Sequence, residues 1–552
     1  AFFMSLSPFA AERLLFTPAS PVGDAIPAIF AFPNEYSVGI TSLGYQVVWA
    51  ALAARSDLQV SRLFTDLQEP LPQQPELLGF SLSWELDYVN VLNLLERLDI
   101  PLRSQDRTQS DPIVFGGGPV LTANPEPFAD FFDVILLGDG ELLLDRFITS
   151  YQEVRDCDRP TQLRHLAKVP GVYLPSLYEV TYDGPDGLVT AIQPIDSEIP
   201  AQVEKQTYRG QVLSASTVVT PQAAWENIFM VEVVRSCPEM CRFCLASYLT
   251  LPFRIADIDT SLIPAIERGL QVTDRLGLLG ASVTQHPEFE SLLDYLNRPQ
   301  YDQVRLSIAS VRTNTVTPKL AETLVRHDTR SITIAVETGS DRLRQIINKK
   351  LTNDEIVQAA INAKAGGLSN LKLYGMVGLP DEEMEDLEQT VAMLRQLKKS
   401  APGLRLTFGC STFVPKSHTP FQWFGVDRQA EKRLQFLQKN LRSQGIEFRP
   451  ESYSWSVIQA LISRGDRRLS RLLELTRHYG DSLGSYRRAF KELRGQLPDL
   501  DFYVHANWEH DRLLPWGHLQ GPLPPATLLK HLDTATAQFN PAMTTPQPIR
   551  VG

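Results

Sequence analysis

The sequence predicts an α/β chain in three parts. These are an N-terminal Rossmann-like parallel sheet with a connector over residues 1–220, a central partial (β/α)6 barrel of TIM type over 221–425, and a mainly helical C-terminal domain over 426–552. Three observations lead there. Short apolar runs alternate with amphipathic stretches of helical length through most of the chain, the pattern of successive βα units. The 552 residues suffice for several cores of ordinary size. The composition, 43% hydrophobic and 21% charged, is that of folded globular chains and excludes both disorder and a disulfide scaffold.

The elements follow in order. The N-terminal apolar stretch is broken by Glu12 and Arg13 before a secretory core develops. A strand is expected at residues 38–40 with a helix after Gly44, and the same order repeats over residues 78–98. Further strands are expected at 113–115 and 134–137, each followed by a glycine turn, Gly116 to Gly118 and Gly138 to Gly140. Glycines at strand ends either let the backbone approach a ligand or serve tight turns alone. Residues 181–221 read as a connector with short antiparallel strands. Six apolar stretches then end near Val234, Val283, Ala309, Glu337, Gly378 and Val414, separated by helical patterns such as TNDEIVQAAINAKAG. A helix and a strand-like segment open the last part, and the last thirty residues read partly as a tail. The run Arg464, Arg467, Arg468 and Arg471 reads as a solvated helical face, with anion binding as the alternative.

Charge identifies no partner. The net charge of −11 rules out a uniformly basic nucleic-acid-coating surface. From residue 431 onward, however, 17 basic residues face 12 acidic ones, which leaves a nucleic acid or other anionic partner open. No apolar run is long enough to span a membrane, so no stable insertion is expected.

Cysteine placement is more specific. Of five cysteines, Cys237, Cys241 and Cys244 stand as C-x3-C-x2-C directly after the first strand of the central region. That spacing in a large chain fits thiolates kept reduced in a cytoplasmic compartment. Three soft sulfur ligands suit either an iron–sulfur cluster with one open iron or zinc, which would recruit a fourth ligand such as His286 or Cys410. A zinc-stabilised binding protein is therefore the non-enzymatic alternative. Lys416 and His418, in the FVPKSHTPFQW segment after the last barrel strand, are the candidate catalytic side chains: His to relay a proton, Lys to hold an anionic substrate.

C-x3-C-x2-C with the aromatic Phe243 before its last cysteine resembles the signature of the radical S-adenosylmethionine superfamily. The resemblance implies that Cys237, Cys241 and Cys244 hold a [4Fe-4S] cluster. The open iron would then bind S-adenosylmethionine, and one electron from a donor such as flavodoxin or ferredoxin would cleave it to a 5′-deoxyadenosyl radical that abstracts hydrogen from an unidentified substrate. It also implies that Phe243 borders the adenine and that GASVTQHP faces the methionyl group. Ser307 becomes a wall position. Glu337, Ser340 and Arg344 approach the ribose and carboxylate, and Gly375 and Val377 line the wall beside adenine. A carboxylate can accept from two ribose hydroxyls, and an arginine can grip a carboxylate as a fork, so the chemistry agrees.

The segments FSLSWELDY, FGGGPVLTANPEPFADFFD and LLGDGE resemble the cobalamin-binding-type domain that precedes some members of the superfamily. Cobalamin and methyl transfer become the alternative chemistry. The ligating D-x-H-x-x-G pattern is absent, since the corresponding turn reads ITSLGYQVVWA with no histidine near Gly44, and this departure counts against a histidine-ligated cobalamin.

Overall fold

The computed structural model describes residues 7–309 and 311–540. The start of the apolar N-terminal segment and the last twelve residues of the expected tail lie outside them.

Six strands form the N-terminal sheet: β1 (Ile26–Ala31), β2 (Leu58–Leu63), β3 (Leu77–Ser81), β4 (Ile113–Gly117), β5 (Val134–Leu136) and β6 (Val172–Tyr173), in the order β2-β1-β3-β4-β5-β6. All neighbours are parallel except β6 against β5. Strands β1, β3 and β5 are buried along nearly their whole length, as parallel strands covered on both faces must be. The strand order reverses at β1, and such switch points leave a crevice outside the carboxyl ends of the strands.

The strand expected at 38–40 is instead part of a helix, Tyr36–Thr41. Its buried residues are Tyr36, Gly39 and Ile40, which is i, i+3, i+4 spacing rather than alternation. Strand β1 was not anticipated. Short antiparallel strands occur in and beside the connector: Tyr178–Tyr182 pairs with Val189–Pro194, and Val218–Val219 pairs with Arg13–Leu14.

The central region contains β7 (Ile228–Glu232), β8 (Arg275–Leu279), β9 (Arg305–Ile308), β10 (Ser331–Glu337), β11 (Asn370–Val377), β12 (Arg405–Thr412) and β13 (Glu447–Pro450). These make a three-stranded sheet, β7-β8-β9, and a four-stranded sheet, β10-β11-β12-β13, parallel throughout. The isolated bridge Val311–Ile334 links them. The second strand ends at Leu279 rather than near Val283, which begins a 3-10 turn. The seventh strand and its helix, Ala430–Arg442, lie beyond residue 426, and Leu434, Leu437 and Leu441 of that helix join the same apolar core as Leu373 and Phe408.

A second core is shared by the N-terminal sheet and the C-terminal helices: Phe80, Tyr88, Leu461 and Leu472 belong to it. Tyr88 and Tyr486 hydroxyls meet at 2.8 Å within it. Of the arginine run only Arg471 lies on an exposed face. Arg464 is fully buried and donates to the carbonyls of Tyr503 and Ala506. Arg467 donates to Glu126 and to Tyr173 in the N-terminal sheet. Guanidinium groups here seam two parts of the chain, which a helical wheel of 464–471 alone does not show. Part of the expected tail is the helix Pro525–Thr536, anchored by Leu528, Leu532 and Ala535. Among the described residues no helix is long and apolar enough to cross a membrane.

Candidate functional site

The three cysteines sit in a loop held by its own backbone and by Arg242. The Cys237 N–H donates to Ala246 O, and the Cys244 N–H to Cys241 O. The Arg242 guanidinium donates to the carbonyls of Gln345 and Ile346, and its N–H to Ile347 O, so it caps the helix Asp341–Ile346 from outside. Ser236 and Met240 adopt left-handed backbone angles, φ 72° and 58°, which non-glycine residues hold only when the surroundings impose them.

Cys237, Cys241 and Cys244 all wall one cavity. Phe243 and Glu337 share it, as expected, and so do Ala281, Ser282 and Gln285 of the GASVTQHP segment. Glu337 ends β10 with φ 63°, at a register shift against β11. It accepts from Lys349 Nζ at 3.1 Å. Burial works against the Lys349 charge, but Glu337 and the thiols outweigh it and its pKa is raised. Opposite, Arg312 pairs with Glu239 at 2.8 Å. The hydroxyls of Ser247 and Thr313 line the same cavity, buried and without a partner. Burial pushes the Cys241 thiol up to about 12 and that of Cys244 upward; a metal's positive charge is what makes such thiols ligands as thiolates.

Three thiols wall one cavity, and the two distant residues that could complete a zinc site are engaged elsewhere. His286 accepts the Glu288 N–H at Nδ1 and reaches Ala256 O through Nε2, so both ring nitrogens are occupied. Cys410 is buried on β12 and lines neither this cavity nor the others described below. Both candidate fourth ligands for zinc are thus withdrawn.

The other expected residues lie elsewhere. Arg344, 1% exposed, donates to Thr338 O, Asp341 and Asn353 and so fastens the turn after β10 instead of facing the cavity. Ser340 caps the helix Asp341–Ile346 and donates to Asp386. Val377 is in the apolar core, and Ser307 is exposed on β9 outside the cavity lining. Gly375 lies beside Glu337 in register, where a Cβ would strike the Phe408 ring at 2.4 Å. Lys416 is ion-paired with Glu85 at 2.7 Å, bridging to the N-terminal sheet, and His418 lines a separate C-terminal cavity. Neither is in the cysteine cavity. Lys349, Arg312, Glu239, Ser247 and Thr313 are cavity residues that sequence reasoning missed. Glu239 stands inside the cysteine motif, and Lys349 and Arg312 follow β10 and β9 in chain order, where active-site loops of such folds gather.

A larger cavity, about 480 Å³, lies at the carboxyl ends of the N-terminal strands. Gly44, Gly118, Gly138 and Gly140 line it on one side, and Arg235, Leu245, Leu249 and Thr250 on the other. Arg235 precedes the cysteine motif by two residues and Leu245 follows its last cysteine, so the flanks of the cysteine loop border this cavity while the loop borders the other. The glycine turns are required. Gly138 has φ 112°, and a Cβ there would lie 2.1 Å from Gln206 O; Gly118 has φ 116° with Leu82 O at 2.5 Å. The GDGE turn is also a clamp: Arg254 pairs with Asp139 at 2.6 Å and Arg235 with Glu141 at 2.7 Å. Lys205 lines the cavity, 8% exposed, its ammonium without a hydrogen-bond partner among the described residues. Burial lowers its pKa, against the opposing pull of Asp139. An apolar slot walled by Phe30, Phe80 and Phe115 adjoins and runs into the sheet.

Comparison with known proteins agrees with the cysteine loop. Residues 231–394 match the family model of the radical SAM superfamily, and residues 47–175 that of radical SAM proteins, N-terminal. An uncharacterised protein of Methanocaldococcus jannaschii is 27% identical over 451 residues, covering 81% of this chain and 90% of that protein. An uncharacterised methyltransferase of Pyrococcus horikoshii is 24% identical over 296 residues, 51% of this chain and 57% of the relative. Among solved structures, the radical S-adenosylmethionine methyltransferase TsrM from Kitasatospora setae, with cobalamin and a [4Fe-4S] cluster bound, aligns with a TM-score of 0.48 at 13% identity, covering 72% of this chain and 77% of that one. The cobalamin-dependent S-adenosylmethionine radical enzyme OxsB with aqua-cobalamin aligns at 0.47 and 12% identity, covering 93% and 79%. The radical SAM domain implies a [4Fe-4S] cluster and S-adenosylmethionine as its cofactors, and the chain is a radical S-adenosylmethionine enzyme.

Proposed function

We propose that the chain cleaves S-adenosylmethionine at the cysteine cavity, abstracts hydrogen from an unidentified substrate, and couples this to methyl transfer through a cobalamin-class cofactor in the neighbouring cavity. One observation carries the second half: Arg235 and Leu245, which flank the cysteine loop, line the larger cavity, while the loop itself lines the cysteine cavity. When bound, the cluster supplies the electron that generates the radical, and cobalamin supplies a methyl carrier.

This chain's residues divide the remaining work. Cys237, Cys241 and Cys244 bind the cluster. The buried hydroxyls of Ser247 and Thr313 and the paired charges of Glu337, Lys349, Arg312 and Glu239 are donors and acceptors for the polar ends of S-adenosylmethionine. Apolar walls exclude water from the reacting centre. In the larger cavity the glycines allow a broad ligand to lie against the backbone, Lys205 offers a cation to an anionic group, and the phenylalanine slot suits a flat aromatic base. No histidine lines that cavity, so cobalamin would bind there without a histidine ligand, as the sequence implies. The methyltransferase name of the Pyrococcus relative supports the same reading.

Titration of the anaerobically reconstituted chain with hydroxocobalamin tests it. Saturable one-to-one binding, weakened about tenfold by Lys205→Met, is expected. Cleavage of S-adenosylmethionine with no cobalamin binding would leave the radical chemistry standing and remove methyl transfer.

A further inference from the structure

The segment that follows β12 carries His418, expected from sequence to serve the radical, yet it helps build a third cavity of about 450 Å³. This cavity lies between the 418–423 turn and the 510–529 segment and shares no lining residue with the other two. Its walls hold the aromatic rings of Trp423 and Trp516, the ring of His510 5.5 Å from Trp423, and the guanidinium of Arg512. No carboxylate lines it.

Trp516 Nε1 donates to Gln422 Oε1, but several other polar groups of the lining are left unsatisfied. Trp423 Nε1, His418 Nε2, and Nε and Nη1 of Arg512 are buried without a hydrogen-bond partner among the described residues. A buried donor without a partner costs about 1–3 kcal/mol, and native structures keep few of them. Other arginines of the C-terminal helices and the N-terminal sheet are ion-paired: Arg467 with Glu126, Arg468 with Asp466, Arg107 with Asp133. Arg512 makes no ion pair among the described residues, and behind it Arg464 makes none either. The two guanidinium groups approach the ring of Trp508, at 5.9 Å and 3.8 Å. Burial, then Arg512, pushes Arg464 down to about 9, and the acids that act on Arg512, Glu509 and Asp511, line no part of the cavity. His418 holds φ 61°, an imposed conformation, on the cavity wall. Arg512, Trp423 and His418, each carrying a buried polar atom without a partner, all line this space of ordinary ligand size together with Trp516.

We propose that this C-terminal cavity binds a small organic anion, with a flat, largely apolar body against Trp423 and Trp516 and a carboxylate or phosphate received by Arg512 and the Trp423 N–H. The site is separate from both cofactor cavities. Its occupant ties the 418–423 turn, which continues from β12, to the C-terminal segment that covers it.

Isothermal titration of the full chain with 2-naphthoate, 2-naphthyl phosphate and the neutral 2-naphthamide tests the proposal. At least one anion should bind one-to-one, and whichever does identifies carboxylate or phosphate as the group read. The amide should bind at least tenfold more weakly. Arg512→Gln should weaken the anion at least tenfold and Arg512→Lys less. Trp423→Phe, which keeps the ring and removes the donor, should weaken it several-fold and serves if Arg512→Gln does not fold. Absence of one-to-one anion binding, equal binding of the amide, or binding lost through Lys205→Met rather than through Arg512 would overturn it.

Discussion

Chemistry at the residue scale is decided by which polar groups are left for a ligand. Around the cysteines, Glu337 and Lys349 neutralise each other, while the Ser247 and Thr313 hydroxyls remain unmatched. In the large cavity every charge of the GDGE clamp is paired and the Lys205 ammonium is not. His518 shows the structural use of the same residue types. It is packed against Tyr173 and Tyr178, beside Glu126 and Arg467, and burial, with Arg467 adding to it against Glu126, depresses its pKa to about 4. The unfolded chain therefore takes up a proton below about pH 6.5 that the fold refuses until about pH 4, and stability falls as pH drops through that window. From pH 7 to pH 5 this one ring withdraws on the order of 2 kcal/mol. Thermal melts of the parent and of His518→Phe at both pH values should show a smaller acid loss in the variant; equal losses would assign the ring no such role.

At the scale of elements, legibility depended on whether the determinant was local. Strands β3, β4, β5, β10 and β11 were readable because each is an apolar run ended by glycine or charge. Residues 36–41 were misread because a short apolar run has no period of its own, and only the packing of Tyr36, Gly39 and Ile40 on one side selects the helix. Cys237, Cys241, Cys244, Phe243 and Glu337, grouped by the resemblance to the radical S-adenosylmethionine signature, wall one cavity. Ser340, Arg344 and Val377 lie outside it, because a one-residue rotation on the turn after β10, or the alternation of faces along β11, decides whether a side chain faces the cavity, the adjoining helix or the core. Glycine turns left two readings open, and close approach of Gln206 to Gly138 resolves them: the turn is sterically required and lines a cavity as well. Gly138→Ala should cost about 2–3 kcal/mol through left-handed strain and the clash. It should lower the apparent melting temperature and weaken hydroxocobalamin, and an unchanged melting temperature would show that the connector yields instead.

The molecule as a whole is interleaved rather than strung out. The C-terminal helices complete the core of the N-terminal sheet, and the cysteine loop lies between that sheet's ligand edge and the central strands. This long-range arrangement is what the sequence could not display: Arg467 meets Glu126 across 341 residues, and Lys416 meets Glu85 across 331. The central claim is that the cysteine loop carries a cluster able to cleave S-adenosylmethionine. Its most direct measurement is the iron, sulfide and 5′-deoxyadenosine yield of the anaerobically reconstituted, reduced full chain beside Cys237→Ala. About four iron and four sulfide per chain with 5′-deoxyadenosine formed, both lost in the variant, is the result expected of a three-thiolate [4Fe-4S] site. Stoichiometric zinc without iron, or a variant that keeps both cluster and cleavage, would contradict it.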